Sequence, residues 1–215
     1  MHFTVPEQAR RDHTVESALA DLRAGRPVIV VDDEDRENEG DLVMAAEHAT
    51  PHALAFYVRH TSGLVCAPMA AEVADRLKLP LMVQDNEDPE GTAFTVSVDA
   101  SAGIESGISA ADRAHTLQVL ADPASTHRSV RRPGHVFPLR AREGGLAVRR
   151  GHTEAAVELM RLAHLRPVAV ISEMCNEDGS MARVAQLRKF AEQHWLKLVS
   201  IEQIAAFAQE GVVAR

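Results

Sequence analysis

Pro27-Val28-Ile29-Val30-Val31-Asp32-Asp33-Glu34-Asp35-Arg36-Glu37-Asn38-Glu39-Gly40-Asp41-Leu42-Val43-Met44-Ala45-Ala46 is an apolar run, a block of charge and a second apolar run. Pro27 to Val31 and Leu42 to Ala46 both read as buried strands, short, aliphatic and bounded by polar residues. The charged block between them therefore sits at a strand edge and not in a tail.

That block holds seven carboxylates and one arginine between Asp32 and Asp41, six negative charges of a formal net charge of -8. Like charges at this density repel by roughly 1 kcal/mol per close pair even at a water-like dielectric. An acidic run is ordinarily a solvated loop, but this one is internal and held between two strands, and a bound cation would offset its crowding. A calcium-binding EF-hand loop is excluded by register. With Asp35 at position 1, Gly40 falls correctly at position 6, but position 12 is Ala46 where a bidentate Glu is required.

Outward from this stretch, short apolar runs alternate with helical patterns. Thr14 to Ala24 reads as an amphipathic helix stopped by Gly25. Thr50-Pro51 reads as an N-cap with proline at the first helical position, opening a helix to about His60. Gly63–Ala67 and Ala93–Val98 are predicted strands, and Ala70–Leu79 and Ser109–Leu120 helices. Ala121 to Gly145, rich in Pro, Gly and Arg, is predicted to be a long irregular segment with a functional role. A short strand at Leu146–Val148, a helix from Thr153 to His164 and the strand Pro167–Ser172 follow. The chain closes with a helix from Met181 to Gln193, the strand Lys197–Ile201 and a helix to about Gln209. No repeat or linker interrupts the pattern, which predicts one α/β domain over residues 1–215, a mixed sheet in a three-layer α-β-α arrangement.

Composition narrows the function classes. The 215 residues are 46% hydrophobic and 25% charged, as in ordinary globular proteins. No apolar stretch reaches the length of a membrane span, and Met1-His2-Phe3-Thr4-Val5-Pro6 lacks the regions of a signal peptide, so a cytoplasmic protein with no membrane partner is expected. A pI near 5.7 with one Trp and one Tyr argues against a nucleic-acid partner. Cys66 and Cys175, without CxxC spacing, predict buried reduced thiols and neither a disulfide framework nor a structural zinc site. P-loop and dinucleotide glycine motifs are absent.

Four groups of residues are left to carry chemistry. The acidic block is one. Arg149-Arg150-Gly151-His152-Thr153-Glu154 follows a predicted strand and opens a helix, whose free N–H groups suit a phosphate, with Arg149 and the Thr153 hydroxyl adding to it. Thr153 as N-cap with Glu154 in the first turn also belongs to any well-made helix. His135, in Arg132-Pro133-Gly134-His135-Val136, is either a structural histidine or a general acid/base held in a loop. Glu173 ends the strand Val168-Ala169-Val170-Ile171-Ser172, and ligands of open α/β sheets bind at the carboxyl ends of strands. Carboxylates with an imidazole suit a hard divalent ion, Mg²⁺ or Mn²⁺. Residue types and spacing alone thus point to metal-assisted chemistry on a small phosphorylated, hydroxylated molecule.

At these same positions the chain resembles the 3,4-dihydroxy-2-butanone 4-phosphate synthase family. The resemblance rests on the Asp32–Asp41 block, Thr92-Ala93-Phe94-Thr95-Val96-Ser97-Val98-Asp99, Gly107-Ile108-Ser109-Ala110-Ala111-Asp112-Arg113, Arg132-Pro133-Gly134-His135-Val136-Phe137-Pro138-Leu139, Gly151-His152-Thr153-Glu154-Ala155 and Asn176-Glu177-Asp178-Gly179-Ser180-Met181-Ala182. These blocks occur in family order across nearly the whole chain. The chain stops where some relatives continue into a GTP cyclohydrolase II domain, so a monofunctional form is expected.

The resemblance implies a lyase of riboflavin biosynthesis that converts D-ribulose 5-phosphate to L-3,4-dihydroxy-2-butanone 4-phosphate and formate, with two Mg²⁺ or Mn²⁺ ions per active site, acting as a homodimer whose sites lie near the subunit interface, so that His135 serves either its own site or the partner's. It implies Glu37 and His152 as metal ligands and His135 and Glu173 as catalytic residues. Arg36, Glu37, Asp41, Arg149, Arg150, Gly151, His152, Thr153 and Glu173 would bind substrate. It also places Asp32, Cys66 and Ser109 to Thr116 in or near the pocket, at positions with no assigned role. Two departures stand out: His164 where the family pattern has glycine, and a basic Ala124–Arg131 stretch that would alter closure or dimer contacts if it folds over the site. Another Mg²⁺-dependent sugar-phosphate enzyme, or a non-catalytic binder of the same fold, is the competing reading; retention of both His135 and Glu173 disfavours the binder.

Overall fold

The computed structural model describes residues 13–33 and 36–213. The amino-terminal segment read for a leader, and Glu34 and Asp35 of the acidic block, lie outside the described residues. Among the described residues seven strands form one sheet: β1 (Val28–Val31), β2 (Gly40–Ala45), β3 (Cys66–Met69), β4 (Val98–Ala100), β5 (Val130–Arg140), β6 (Ala169–Glu173) and β7 (Leu198–Ser200). Their order is β4-β5-β3-β6-β2-β1-β7. The pairs β1/β7 and β3/β5 are parallel and the other four antiparallel, so the sheet is mixed, as expected.

Helices cover both faces because the strands are apolar on both. Ile29, Val31, Leu42 and Met44 face one way, into a core shared with Leu54 and Tyr57 of α2 (Pro51–His60), Leu117 and Leu120 of α4 (Ala110–Ala121) and Leu187 of α6 (Val184–His194). Val28, Val30, Val43 and Ala45 face the other way, against α1 (Val15–Arg23), α5 (His152–Leu162) and α7 (Ile201–Val213). Each fully buried Leu contributes about 2 kcal/mol by removing its surface from water. The short α3 (Ala71–Arg76) completes the three layers.

Local signals place several ends correctly. Thr14, Thr50 and Ser109 cap α1, α2 and α4, each accepting a backbone N–H at its side-chain oxygen. Other expectations fail for identifiable reasons. The segment predicted to be irregular contains the longest strand, β5. Pro133 and Gly134 disguise it, but they sit where the β4/β5 register shifts between Val98 and Asp99, so the proline interrupts no regular ladder. Gly134 belongs there for space: a Cβ would lie 2.0 Å from the Val98 carbonyl carbon. Leu146–Val148 is no strand; Gly145–Ala147 forms a 3-10 turn entered through left-handed Gly144. Of Ala93–Val98 only Val98 joins a strand, the ladder running on to Ala100. Cys175 is half-buried rather than buried.

The sheet register sets up the site. Asp41 of β2 pairs with Glu173 of β6, and Cys66 of β3 pairs with both Ile171 and Phe137. Two residues beyond those partners, Glu173 and His135 come to the same end of the sheet, two strand spacings or roughly 10 Å apart. Strand alternation turns Asp41, Glu173 and His135 to the face that carries Val43, Ile171 and Phe137, the face on which α5 begins.

Candidate active site

The acidic loop is folded by its own charges. The carboxylate of Asp32, buried at the end of β1, accepts the backbone N–H of Glu39 at 2.8 Å on one oxygen. Its other oxygen accepts the Glu37 N–H at 3.1 Å and the Arg36 guanidinium at 2.9 Å. Arg36 also reaches Glu37 at 2.8 Å and Glu90 at 3.0 Å. Asn38 takes the left-handed turn at φ 53°, a conformation Asn tolerates. Asp32 is thus consumed in closing the loop, and Glu37 is presented inward.

His152 meets it from the other side. Its Nε2 lies 3.2 Å from the Val30 carbonyl, which only accepts, so Nε2 carries hydrogen and Nδ1 is turned 3.7 Å from the Glu37 carboxylate. Oxygen or nitrogen donors of Asp32, Glu37 and His152 all lie within 4.8 Å of one another. An imidazole held by a backbone carbonyl through one nitrogen, with the other aimed at carboxylates, is arranged as a metal-ligating histidine is.

The electrostatics of the cluster favour positive charge. Burial alone would lower the His152 pKa, but Asp41, Glu37 and Asp32 outweigh it and raise it to about 9. The neighbouring His152 imidazole in turn lowers the Glu37 pKa, against burial, with Arg36 adding to it. Burial pushes the Asp41 carboxyl up to about 7, with Glu173 and the glutamates of the loop adding to it. Among the described residues, one buried oxygen of Asp41 has no hydrogen-bond partner. A buried carboxylate oxygen left unpaired is costly, and a divalent cation with its bound waters or hydroxyls would satisfy it. The residues therefore fit a hard divalent ion.

The same helix begins with free N–H groups, an arrangement suited to an anion. Gly151, and not Thr153, is the N-cap of α5; Thr153 is its second residue and buried. The first intrahelical bond runs from Ala155 N–H to Gly151 carbonyl, leaving the N–H groups of His152, Thr153 and Glu154 ahead of it at the positive end of the helix. Arg149 arches over this end, bonded to Glu154 at 2.6 Å, the Glu90 carbonyl at 3.0 Å and the Thr92 hydroxyl at 3.1 Å. A Cβ on Gly151 would meet the Arg149 guanidinium at 2.1 Å, so any larger residue there would displace Arg149. Arg150 is exposed and stands apart.

Glu173 is held by the turn before β3: Ser62 donates its hydroxyl to the carboxylate at 2.9 Å and its N–H to the Glu173 carbonyl at 2.7 Å. His135 is held by Asp99, an acid 1% exposed in β4. Cys66 is buried on the same face, and its thiol pKa is pushed well up by burial and then by Glu173 and Asp41, so it is no nucleophile. Ser109 to Thr116 serves the scaffold: Asp112 caps the N–H groups of Glu105 and Gly107, Arg113 bonds the Gly63 carbonyl and Thr116 holds Ala100. The basic stretch ends at Arg131, which reaches the Asp99 carboxylate at 3.3 Å and the Ser106 carbonyl at 3.4 Å. Sequence reasoning gave no role to Ser62, Glu90, Thr92 or Asp99. Only Thr92 and Asp99 fell within quoted motifs, and no local spacing tied either to its partner.

Residues 16–207 match the sequence profile of the 3,4-dihydroxy-2-butanone 4-phosphate synthase family. The riboflavin biosynthesis protein RibBA of Salinispora arenicola is 56% identical over 194 residues, 90% of this chain and 46% of that protein. The monofunctional riboflavin biosynthesis protein RIBA 2, chloroplastic, of Arabidopsis thaliana is 53% identical over 199 residues, 92% of this chain and 42% of that protein. The chain spans about half the length of the curated relatives it matches. Among solved structures, a 3,4-dihydroxy-2-butanone 4-phosphate synthase in complex with two magnesium ions is 47% identical with a TM-score of 0.89, covering 92% of this chain and 97% of that one. A cation-free form of such an enzyme is 45% identical with a TM-score of 0.87 over the same shares.

Proposed function

The chain belongs to the 3,4-dihydroxy-2-butanone 4-phosphate synthase family, and from that premise we propose that it converts D-ribulose 5-phosphate to L-3,4-dihydroxy-2-butanone 4-phosphate and formate in riboflavin biosynthesis. One observation carries the reading. His152 is both the first residue of α5 and the imidazole aimed at Glu37, so a cation site and a helix-terminus anion site share one residue. A sugar phosphate that also chelates through its oxygens matches that pairing.

In this reading Glu37 and His152 hold the metal, two Mg²⁺ or Mn²⁺ ions per site, while Asp32 shapes the loop. A bound divalent ion would polarise carbonyl and hydroxyl oxygens of the sugar, the Lewis-acid role of such ions. The phosphate rests on the α5 N-terminus beneath Arg149 and beside Thr153. Arg36, Asp41 and Glu173 line the sugar, with Gly151 keeping the entrance open and Arg150 at its rim. His135 and Glu173 move protons at carbon and oxygen through enediol formation, dehydration at C1, migration of the skeleton and loss of C4 as formate. Asp41, with one buried oxygen unpaired, accepts a substrate hydroxyl. The support for these roles is that Asp41, Glu173 and His135 share one end and one face of the sheet.

A single lyase domain over residues 1–215, a cytoplasmic location and a homodimer complete the proposal. Among the described residues no helix is long and apolar enough to cross a membrane. Leu81, Met82 and Val83 are consecutive, about half exposed, and line a cavity of about 420 Å³ with Thr92 and Arg142, which suits a second copy seated beside the phosphate end.

Purified protein given Mg²⁺ and ribulose 5-phosphate should release formate in step with the four-carbon ketone phosphate, and EDTA should abolish both. Absence of formate, or formate output unchanged by Glu37→Ala, overturns the assignment.

A further inference from the structure

We infer that Asp99 is the positioning residue of His135, fixing both the direction and the tautomer of its imidazole; the inference rests on the proposed reading only in that His135 moves protons. One oxygen of the Asp99 carboxylate accepts the His135 backbone N–H at 2.9 Å. The other lies 3.0 Å from His135 Nδ1. A carboxylate offers no hydrogen, so Nδ1 is the protonated nitrogen and Nε2 carries its lone pair away from Asp99. Two bonds from one residue to the backbone and the ring of another fix both the main-chain setting and the ring angles.

Asp99 is itself immobilised. It is 1% exposed, and Arg131 approaches its outer oxygen at 3.3 Å while also reaching the Ser106 carbonyl at 3.4 Å. A Cβ on Gly107 would lie 2.2 Å from the same oxygen, so the Gly107 backbone closes over the carboxylate. The His135 ring is 40% exposed and points its free edge to solvent at the substrate end of the sheet. When Nε2 takes a proton from substrate, the resulting imidazolium stays paired with Asp99, and the same proton is returned at a later step. The pairing is that of an acid orienting a catalytic histidine.

Asp99→Asn tests this, because asparagine keeps the shape and still accepts the His135 backbone N–H, but turns an NH₂ toward Nδ1 and forces the proton to Nε2. The ¹⁵N shifts of His135 in the neutral wild-type protein should report an Nδ1–H tautomer, and those of the variant an Nε2–H tautomer. With ribulose 5-phosphate and Mg²⁺, kcat should fall about 10²-fold or more while KM moves only a few-fold. In a His135→Ala background the same substitution should cost less than about threefold, since Asp99 then has nothing to position. An Nε2–H tautomer in the wild type, or a kcat within about threefold of wild type in the folded variant, overturns the inference. The tautomer of the wild type decides it even if the variant does not fold. A wild type that makes no formate defeats the functional reading and leaves the tautomer result standing.

Discussion

His152 and Asp41 make the active end of the sheet a place where protons stand in for metal. His152 rises from an ordinary 6.5 to about 9, and Asp41 from 3.8 to about 7. Both bind protons more tightly folded than unfolded, so between those limits the native state holds the larger number. The stability that His152 contributes is fully present below pH 6.5 and is lost as pH rises through about 9. Asp41 adds a loss of the same sign between 3.8 and about 7. Glu37 acts in the opposite sense, but its lowered pKa places that effect below 4.5, outside this window. Metal-stripped protein should therefore show a Tm that falls from pH 6 to pH 9, and added Mg²⁺ should raise Tm more at pH 8 than at pH 6. Calorimetry with and without EDTA measures it; a Tm rising over that range would contradict the assigned environment of the two residues. Little of this was legible in the chain itself. The acidic block announced a cation by its charge, yet which of its acids faces inward depends on Asp32 closing the loop and on Val30 turning the His152 ring, contacts that span up to 122 positions.

At the scale of elements, the strands read most clearly where they are aliphatic and the helices where a cap announces them, as at Thr14, Thr50 and Ser109. β5 escaped because Pro133 and Gly134 carry the local signature of a turn, while the bulge that accommodates them is a property of the pairing with β4. Two substitutions separate these influences. His164 follows the C-cap of α5 at φ 57°, a left-handed setting that favours glycine. His164→Gly should stabilise the protein by about 1 kcal/mol, a rise of roughly 2–4 °C in Tm, without changing turnover. Gly134→Ala meets backbone and not a movable side chain, and should cost roughly 3 kcal/mol in urea unfolding. Equal stabilities for the two variants would contradict the placement of both residues.

For the molecule as a whole, one consequence concerns assembly. If Leu81, Met82 and Val83 are covered by a second copy, sedimentation should find a dimer in the wild type and a monomer after Leu81→Asp with Val83→Asp; a wild-type monomer removes the homodimer from the proposal. The fold class and the position of the acid loop could be read along the chain, whereas the convergence of the site could not. His135, Glu173 and Asp41 come from three strands, β5, β6 and β2 in spatial order with β3 between the first two, an order that differs from their order in sequence. Because β2 is apolar on both faces, a slip of one residue against β6 would cost little in hydrophobic burial, yet it would turn Asp41 out of the pocket. Catalysis thus acts as a proofreader of the sheet: a chain paired one place out of step would be compact, helical and inert, and specific activity after refolding would count the molecules whose central strands found their proper partners.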